Sequence, residues 1–204
     1  MANQQTAGRG RAGKSWASQA GAGIWLTMIE RPTDASGLEV LSLRAGLAAA
    51  EALDRFAPEP IRLKWPNDLY IEEGKLGGIL VEARWRERSV EWIAIGVGVN
   101  VRRPENVERA ASLEPGTDRL DVLTELVPGL RVAAAATGPL DAEELEEFNA
   151  RDLARGRTCR EPALGRVAGI TPRGELLVAL ADSVAPFRSG SLVLEEERGG
   201  GEPR

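Results

Sequence analysis

A short basic, glycine-rich stretch near the start of the chain is the first candidate for chemistry. The residues GRGRAGKS, from Gly8 to Ser15, fit the P-loop pattern G-x-x-x-x-G-K-S, and the first six also fit the dinucleotide fingerprint G-x-G-x-x-G. Both motifs need a buried strand before the glycines and a helix after them. The flanking sequences MANQQTA and WASQAGAG predict neither element. We therefore expect a phosphate-handling loop of another kind, with an inert surface loop as the alternative.

The cations of this loop suit a ligand that carries phosphate. Arg9, Arg11 and Lys14 stand among its glycines. Guanidinium forks and backbone N–H groups can bind the oxygens of a polyanion together. A loop that only joined two elements would not need three positive charges in one turn.

Three β-rich segments add further candidates. In KWPNDLY, Lys64 stands at a strand end before a proline-directed turn, where it either enters a cleft or lies on the surface. In KLGGILVE and GVGVN, glycines interrupt otherwise good strands, which indicates a bulge or the close approach of another group to the backbone. Together with the basic loop, these segments are expected to line a narrow slot for a flat ligand that carries phosphate.

The composition excludes several classes of catalyst. The 204 residues include no histidine, so Ser-His-Asp and Cys-His arrangements and HExxH zinc sites are excluded. Chemistry must therefore use Lys, Arg, carboxylates, hydroxyls, backbone N–H groups or Mg²⁺. Cys159, the single cysteine, is interpreted as a structural thiol rather than a nucleophile. The net charge of −5, the polar N-terminal residues and the short apolar runs predict a cytoplasmic protein that binds neither DNA nor membranes.

The hydrophobic pattern predicts an α/β (α+β) fold in two parts. Strands and helices alternate over residues 1–155. The pattern predicts a strand at 23–32, a strand–turn–strand at 61–71 and a hairpin of two β-rich runs at 75–85 and 90–101. It predicts helices at 38–56, at 118–126 and from Asp141 to Gly156. The pair Asp141 and Glu144 forms a capping-box pattern for the last helix. Residues 156–197 contain four or five short strand patterns, which predict a small β-barrel. Residues 198–204 are expected to be a disordered tail.

At this point the motifs identify a known family. QQTAGRGRAGKSW, KWPNDLY, KLGGILVE and GVGVN, in this order and spacing, resemble the motifs of biotin–protein ligases, and RTCREPALGRVAGITPRGELLV resembles their C-terminal SH3-like barrel. The resemblance covers residues 2 to about 196. It implies a catalytic domain related to class II aminoacyl-tRNA synthetases. It also implies that the fit of GRGRAGKS to the P-loop pattern is coincidental.

The resemblance further implies an activity, its substrates and its partner. Such a ligase joins biotin to ATP, with Mg²⁺, to give biotinyl-5′-adenylate and pyrophosphate. It then transfers the biotinyl group to one lysine of the biotin carboxyl carrier domain of acetyl-CoA carboxylase. ATP, Mg²⁺ and biotin act as substrates or activator, and no tightly bound prosthetic group or protein metal site is expected. A homodimer is kept open as the oligomeric state.

The resemblance also assigns roles to individual residues. Arg9, Gly10 and Arg11 would belong to the loop that closes over the adenylate. Lys64 would contact the biotin carboxylate and the α-phosphate, and Lys64 and Arg11 are the catalytic candidates. The remaining assignments are Gln5 and the backbone of Gly77, Gly78 and Ile79 for biotin, and Asn100 for adenine.

Some features of the family are expected to be missing. Members carry a strand and a Ser/Thr-Thr-Asn-type segment before the glycine loop, and some carry an N-terminal winged helix. Since Gln5 stands only four residues after Met1, we expect the chain to lack the first part of the catalytic domain and to bind biotin weakly. Two alternatives to the ligase stay open: a non-catalytic biotin- or adenylate-binding remnant, and a lipoate or octanoyl transferase.

Overall fold

The first of two antiparallel sheets carries the long hairpin that the sequence predicts. The computed structural model describes residues 1–105 and 107–195. The strands of this sheet are β1 Gly23–Glu30, β2 Arg62–Lys64, β3 Asp68–Ile71, β4 Gly74–Arg86 and β5 Ser89–Asn100. Their order is β1-β5-β4-β3-β2, and every neighbouring pair is antiparallel. The predicted strand, strand–turn–strand and hairpin are thus confirmed, and β4 with β5 forms the centre of the sheet.

Three α-helices pack in this part of the described chain. They are α1 Leu41–Leu53, α2 Arg119–Ala135 and α3 Ala142–Arg151, and short 3₁₀ turns at Leu38–Val40 and Asp54–Phe56 extend α1 at both ends. The capping box of α3 is confirmed, since Asp141 accepts the N–H of Glu144 and Glu144 accepts the N–H of Asp141, each at 2.9 Å.

Two helix boundaries differ from the sequence prediction. The helix predicted at 118–126 begins as expected at the cap Asp118 but continues to Ala135, through Pro128. The reason is an apolar stripe whose members are all buried: Val122, Leu126, Leu130 and Ala133. The helix predicted to reach Gly156 ends at Arg151, because residues 152–153 pair with β2 instead: the N–H of Leu153 donates to the carbonyl of Leu63 at 2.8 Å.

The second sheet contains five short antiparallel strands. They are β6 Thr158–Glu161, β7 Gly165–Ile170, β8 Leu176–Ala179, β9 Val184–Phe187 and β10 Val193–Leu194, in the order β10-β6-β7-β8-β9. The number of strands agrees with the sequence prediction. The predicted disordered tail, residues 198–204, lies outside the described residues, as do the last two residues of the predicted barrel.

Both sheets contribute to one hydrophobic core. Fully buried side chains from the first sheet and from the second belong to a single cluster, for example Ile79 and Val178. Two hydrogen bonds to backbone carbonyls add to this junction. Trp65 Nε1 donates to the carbonyl of Gly174 at 2.9 Å, and the N–H of Leu140 donates to the carbonyl of Pro172 at 2.8 Å. Within the described residues, no helix combines the length and apolar character that crossing a bilayer requires.

Candidate functional site

One large cleft brings the sequence motifs together. Its volume is about 910 Å³. Its walls come from five parts of the chain: residues 5–16, the β1 residues 26–27, residues 64–70, the central strands between 75 and 98, and the loop 190–193 of the second sheet. The cleft is therefore built where the glycine loop and the second sheet meet one face of β4 and β5.

The glycine loop forms a tight hairpin along one side of this cleft. The N–H of Gly10 donates to the carbonyl of Lys14 at 2.7 Å, and the N–H of Trp16 donates to the carbonyl of Gly8 at 2.9 Å. A 3₁₀ turn at Arg11–Gly13 closes the loop. The described chain has no named strand before the loop, and the next element after it is β1. The geometry of a P-loop or a dinucleotide fingerprint is thus absent, as the flanking sequences predicted.

Positive charge dominates the walls of the cleft. Five of the lining side chains are cations, from Arg9, Arg11, Lys14, Lys64 and Lys75, and two are carboxylates, from Asp68 and Glu82. The carboxylates are paired: Lys75 Nζ lies 2.7 Å from Asp68 Oδ1, and Arg9 Nη2 lies 3.4 Å from Glu82 Oε2. Arg11 Nη1 donates to the backbone carbonyl of Gly190 at 2.8 Å. The excess of positive charge favours an anionic ligand.

Lys64 reaches the cleft from the end of the short edge strand β2. Its side chain is only 6% exposed, and Nζ lies 5.5 Å from the centre of the Tyr70 ring. Two hydrogen bonds fix the turn that follows Lys64 to β4. Asn67 Nδ2 donates to the carbonyl of Ile79 at 2.7 Å, and the N–H of Ile79 donates to the carbonyl of Asn67 at 2.8 Å. A buried ammonium on a fixed strand end is pre-organised to meet a charged group of a ligand.

The glycines of β4 and β5 form a flat floor. Gly78 pairs directly with Gly98 across the two strands. A Cβ atom at Gly98 would lie 2.8 Å from Cε2 and Cζ2 of Trp16, and one at Gly78 would lie 3.7 Å from Cζ3 of the same ring. A Cβ at Gly77 would collide with the carbonyl of Gly98. Both predicted reasons for the glycines are thus found. The indole of Trp16 approaches Gly98 and the carbonyl of Gly98 approaches Gly77, and the pairing of β3 with β4 is irregular between Lys75 and Gly77.

Trp16 lies between charged and aromatic neighbours. Lys75 Nζ lies 5.5 Å from the centre of its ring, and Trp25 packs edge-on at 6.3 Å between ring centres. Trp16 Nε1 is buried and has no hydrogen-bond partner among the described residues. The indole therefore gains packing and a cation–π contact here but no hydrogen bond.

Gly77 does not line the cleft, but seven of the nine predicted site residues do. They are Gln5, Arg9, Gly10, Arg11, Lys64, Gly78 and Ile79. Asn100 does not line it: its side chain is 7% exposed, and Nδ2 donates to the carbonyls of Ala111 at 3.1 Å and Lys75 at 3.4 Å. In this structure the Asn100 amide joins the start of β4 to Ala111, and its contact with adenine stays a prediction.

Three parts of the cleft were missed by sequence reasoning. Lys75 opens the quoted motif KLGGILVE and could have been found as a cation next to the glycine pair. Trp16 follows the glycine loop directly and could have been proposed as the group that packs on the glycines. The loop 190–193 carries no motif, and only the fold brings it to the cleft.

Cys159 lies away from this chemistry. Its side chain is fully buried in the second sheet, and Sγ contacts the carbonyl of Ala163 at 3.3 Å. Burial raises the pKa of the Cys159 thiol, which lowers the thiolate fraction that a nucleophile needs. The structural interpretation of this residue is supported. Within the described part of the chain, no three or more Cys, Asp or Glu side chains are grouped as a metal ion would require.

The chain is similar to known biotin ligases. Residues 1–100 match the biotin/lipoate A/B protein ligase family. The bifunctional ligase/repressor BirA of Escherichia coli is 32% identical over 212 residues, which cover 95% of this chain and 65% of that protein. The biotin–[acetyl-CoA-carboxylase] ligase of Mycobacterium tuberculosis is 35% identical over 194 residues, which cover 90% of this chain and 68% of that protein. The match to BirA of Bacillus subtilis covers only 33% of that protein.

Solved structures show the same similarity. The biotin protein ligase from Aquifex aeolicus in complex with biotin and ATP superimposes with a TM-score of 0.75 at 27% identity, covering 95% of this chain and 86% of that one. The biotin acetyl coenzyme A carboxylase synthetase from Helicobacter pylori, with bound biotinylated ATP, gives a TM-score of 0.67 at 19% identity, covering 90% and 83%. The second likeness shows the shared fold.

Proposed function

The chain belongs to the biotin protein ligase family, and from this premise we propose that it is an ATP-dependent biotin–[acetyl-CoA-carboxylase] ligase. In the first step an oxygen of the biotin carboxylate bonds to the α-phosphorus of ATP, and the bond from that phosphorus to pyrophosphate breaks. In the second step the amine of a carrier lysine bonds to the activated acyl carbon and loses a proton, and AMP leaves. Biotin, ATP and the carboxyl carrier domain of acetyl-CoA carboxylase are the proposed partners.

The observation that carries this proposal is the cation cluster around one flat-floored cleft. The first step brings a carboxylate to a phosphate, so its main barrier is repulsion between two anions and the growth of charge on the α-phosphoryl and leaving oxygens. Arg9, Arg11, Lys64 and Lys75 supply positive charge at the walls. One pre-organised donor of this kind is typically worth about 10²–10³ in kcat. The step needs no histidine base, which fits the composition.

Lys64 and Arg11 are the proposed catalytic residues. Lys64 is buried at the end of β2 and Arg11 lies in the glycine loop, so the two cations come from different walls of the cleft. Between them a carboxylate and an α-phosphate can both be neutralised. We assign Lys75 a supporting role, because its ammonium already neutralises Asp68 at 2.7 Å.

The biotin-binding assignments are refined by the backbone contacts. Gly78 lines the floor and is proposed to contact the ureido ring through its backbone. The N–H and the carbonyl of Ile79 both have a partner in Asn67. A hydrogen bond from biotin to Ile79 would therefore have to be shared with Asn67 or replace it. Gln5 is exposed at the cleft, and its backbone N–H donates to Ser18 Oγ at 2.8 Å.

The proposed division of the chain follows the two sheets. We assign residues 1–155 to a catalytic domain related to class II aminoacyl-tRNA synthetases and residues 156–197 to an SH3-like barrel. The five short antiparallel strands between Thr158 and Leu194 support the second assignment. Mg²⁺ is treated as part of the nucleotide substrate. A cytoplasmic location stays an inference from the sequence, and a homodimer stays open.

Biotin-dependent exchange of pyrophosphate into ATP tests the proposal. The chain should incorporate labelled pyrophosphate into ATP when biotin and Mg²⁺ are present, and lipoate or octanoate in place of biotin should give no exchange. Exchange with lipoate alone would assign the chain to the transferase branch. Tight binding of biotin without exchange, in a folded chain, would identify a non-catalytic binding protein.

A further inference from the structure

The second sheet contacts both cation-bearing walls of the cleft. On one side, the carbonyl of Gly190 accepts a hydrogen bond of 2.8 Å from Arg11 Nη1. On the other, the carbonyl of Gly174 accepts one of 2.9 Å from Trp65 Nε1, next to Lys64 in the chain. The two proposed catalytic cations are therefore tied, directly or through a neighbour, to one small sheet. This sheet can set the distance between them.

The segment that holds Arg11 is itself well supported. We name residues 188–192 the Gly190 loop. Arg188 Nε, at the start of the loop, donates to Glu175 Oε1 at 2.8 Å, and Glu175 also accepts from the hydroxyl of Thr171 at 3.1 Å. At its end, Leu192 is buried in the common core. Both ends of the loop thus have a contact outside it, and these contacts limit where the Gly190 carbonyl can move.

From these contacts we propose that the Gly190 loop is a positioning element of the active site, which holds the Arg11 guanidinium at the cleft before the ligand binds. This proposal rests on the proposed ligase function only for the role of Arg11 in catalysis. The carbonyl takes one of the five N–H donors of the guanidinium, so the fork can still bind phosphate oxygens. A cation that is already in place needs no reorganisation when charge develops on the phosphate. Gly190 is a positioning residue and not a catalytic one.

Gly190 offers a specific way to move this carbonyl. Its φ is +129°, a conformation that L side chains rarely adopt, so Gly190→Ala must change the backbone at that point. Added bulk is not the cause, since the nearest atom to a Cβ there is Pro162 Cβ at 3.7 Å. Gly116→Ala is the matched control. Gly116 also has a positive φ, of +91°, has nothing within 4 Å of its Cβ position, and lies outside the cleft.

The first test needs no enzymatic activity. Trypsin must take the Arg11 side chain into its own pocket to cut after it, so the contact with Gly190 should protect this bond. Lys14, exposed in the same loop, is an internal reference. In the ligand-free full chain, Gly190→Ala should raise the ratio of cleavage after Arg11 to cleavage after Lys14 by about tenfold, as expected for the loss of one hydrogen bond to a charged group. Gly116→Ala should leave the ratio unchanged.

The second test asks whether Gly190 acts through Arg11. We expect Gly190→Ala to lower kcat/KM for ATP in pyrophosphate exchange by about tenfold. In a chain that already carries Arg11→Ala, it should have an effect of less than about twofold, because the group it positions is gone. Equal effects of Gly190→Ala in both backgrounds would overturn the proposal.

The two tests separate failure of this proposal from failure of the proposed function. If the wild-type chain shows no exchange, the cleavage ratio still decides whether the Gly190 loop holds Arg11. An unchanged ratio in folded Gly190→Ala would overturn the proposal whatever the activity. If Gly190→Ala fails to fold, Arg188→Gln removes the exposed anchor of the loop instead. It should raise the ratio in the same direction, and no change would again overturn the proposal.

Discussion

The variant Gly98→Ala tests whether the glycine floor of the cleft is needed for ligand binding. A Cβ at this position would lie 2.8 Å from two ring atoms of Trp16, closer than real Cβ contacts come, so the indole has to move. Gly96→Ala is the matched control in the same strand, because the nearest atom to its Cβ would be the carbonyl oxygen of Leu80 at 3.4 Å. Both positions line the cleft. The two variants differ mainly in whether the Trp16 ring must leave the floor.

The expected magnitude differs between the free and the bound chain. Overpacking in a fixed core costs about 1–3 kcal/mol. Trp16 lies at the end of a loop and is only partly buried, so the free chain should lose about 1 kcal/mol and about 2–4 °C in Tm. The Trp16 ring covers Gly98 in the ligand-free cleft, so a ligand that packs against this ring loses part of its contact surface when the ring moves. It should bind more weakly by about 1–3 kcal/mol, which is roughly 5- to 150-fold in Kd.

Calorimetric titration with biotin and with MgATP measures this effect. Intrinsic fluorescence gives a second readout, and Trp16→Phe in parallel identifies the contribution of this indole among the five tryptophans. Gly98→Ala should change the fluorescence and weaken binding, whereas Gly96→Ala should do neither. If the two glycine variants bind biotin and MgATP equally well, the ligand does not pack against the Trp16 ring.

Four further outcomes are expected. Lys64→Ala and Arg11→Ala should keep the fold but slow pyrophosphate exchange by at least about 10²-fold, and near-wild-type rates in both would contradict their assignment. In denaturant titrations, Glu144→Gln should lower the free energy of unfolding by about 2–4 kcal/mol, because it leaves the buried Arg44 without its carboxylate at 2.6 Å. The control Glu125→Gln, at an exposed pair with Arg55, should change it by less than about 1 kcal/mol. The hydrogen bonds from Arg44 lower the pKa of Glu144 in the folded chain, so this pair stabilises the fold above the ordinary glutamate pKa of about 4.3. The contribution is lost as the pH falls below that value. The difference in stability between wild type and Glu144→Gln should therefore shrink at low pH. In gel-shift assays at physiological salt, the chain should show no sequence preference for DNA, because its net charge is −5 and its basic cluster faces the cleft.

Local patterns were enough to predict most elements of the fold. Two β-rich runs on either side of the charged segment RERS predicted the β4–β5 hairpin, and the capping box predicted the start of α3. The length of α2 was not predictable in this way, because Pro128 and Gly129 look like a stop signal. The helix continues because packing outweighs the lost backbone hydrogen bond: Leu126 and Leu130 are buried, and a Cβ at Gly129 would lie 3.4 Å from that of Ala48 in α1.

The candidate site likewise has parts that the sequence predicted and contacts that it did not. Motifs of a few residues predicted the glycine loop and Lys64, since the chemistry of each is local. The contacts that hold them are between residues distant in sequence. Arg11 and Gly190 stand 179 positions apart, and Trp65 and Gly174 stand 109 apart. No periodicity or spacing indicates such a pair, because the fold as a whole brings it together.

Cations that lie close together repel one another, so a site that holds several of them needs partners that offset this repulsion before the ligand binds. In this cleft the ligand-free charges have local partners of modest strength. Arg9 meets Glu82 at 3.4 Å with both side chains largely exposed, and Arg11 meets a neutral carbonyl. Exposed ion pairs contribute only about 0–1 kcal/mol, so a phosphate can replace Glu82 as the partner of Arg9 with little loss. Arg11 can keep its contact with Gly190 while its other N–H donors bind phosphate, and Lys64 is buried on a strand end. The cleft thus combines two held cations, Lys64 and Arg11, with one that can change partner, an arrangement that suits binding and release of a charged intermediate.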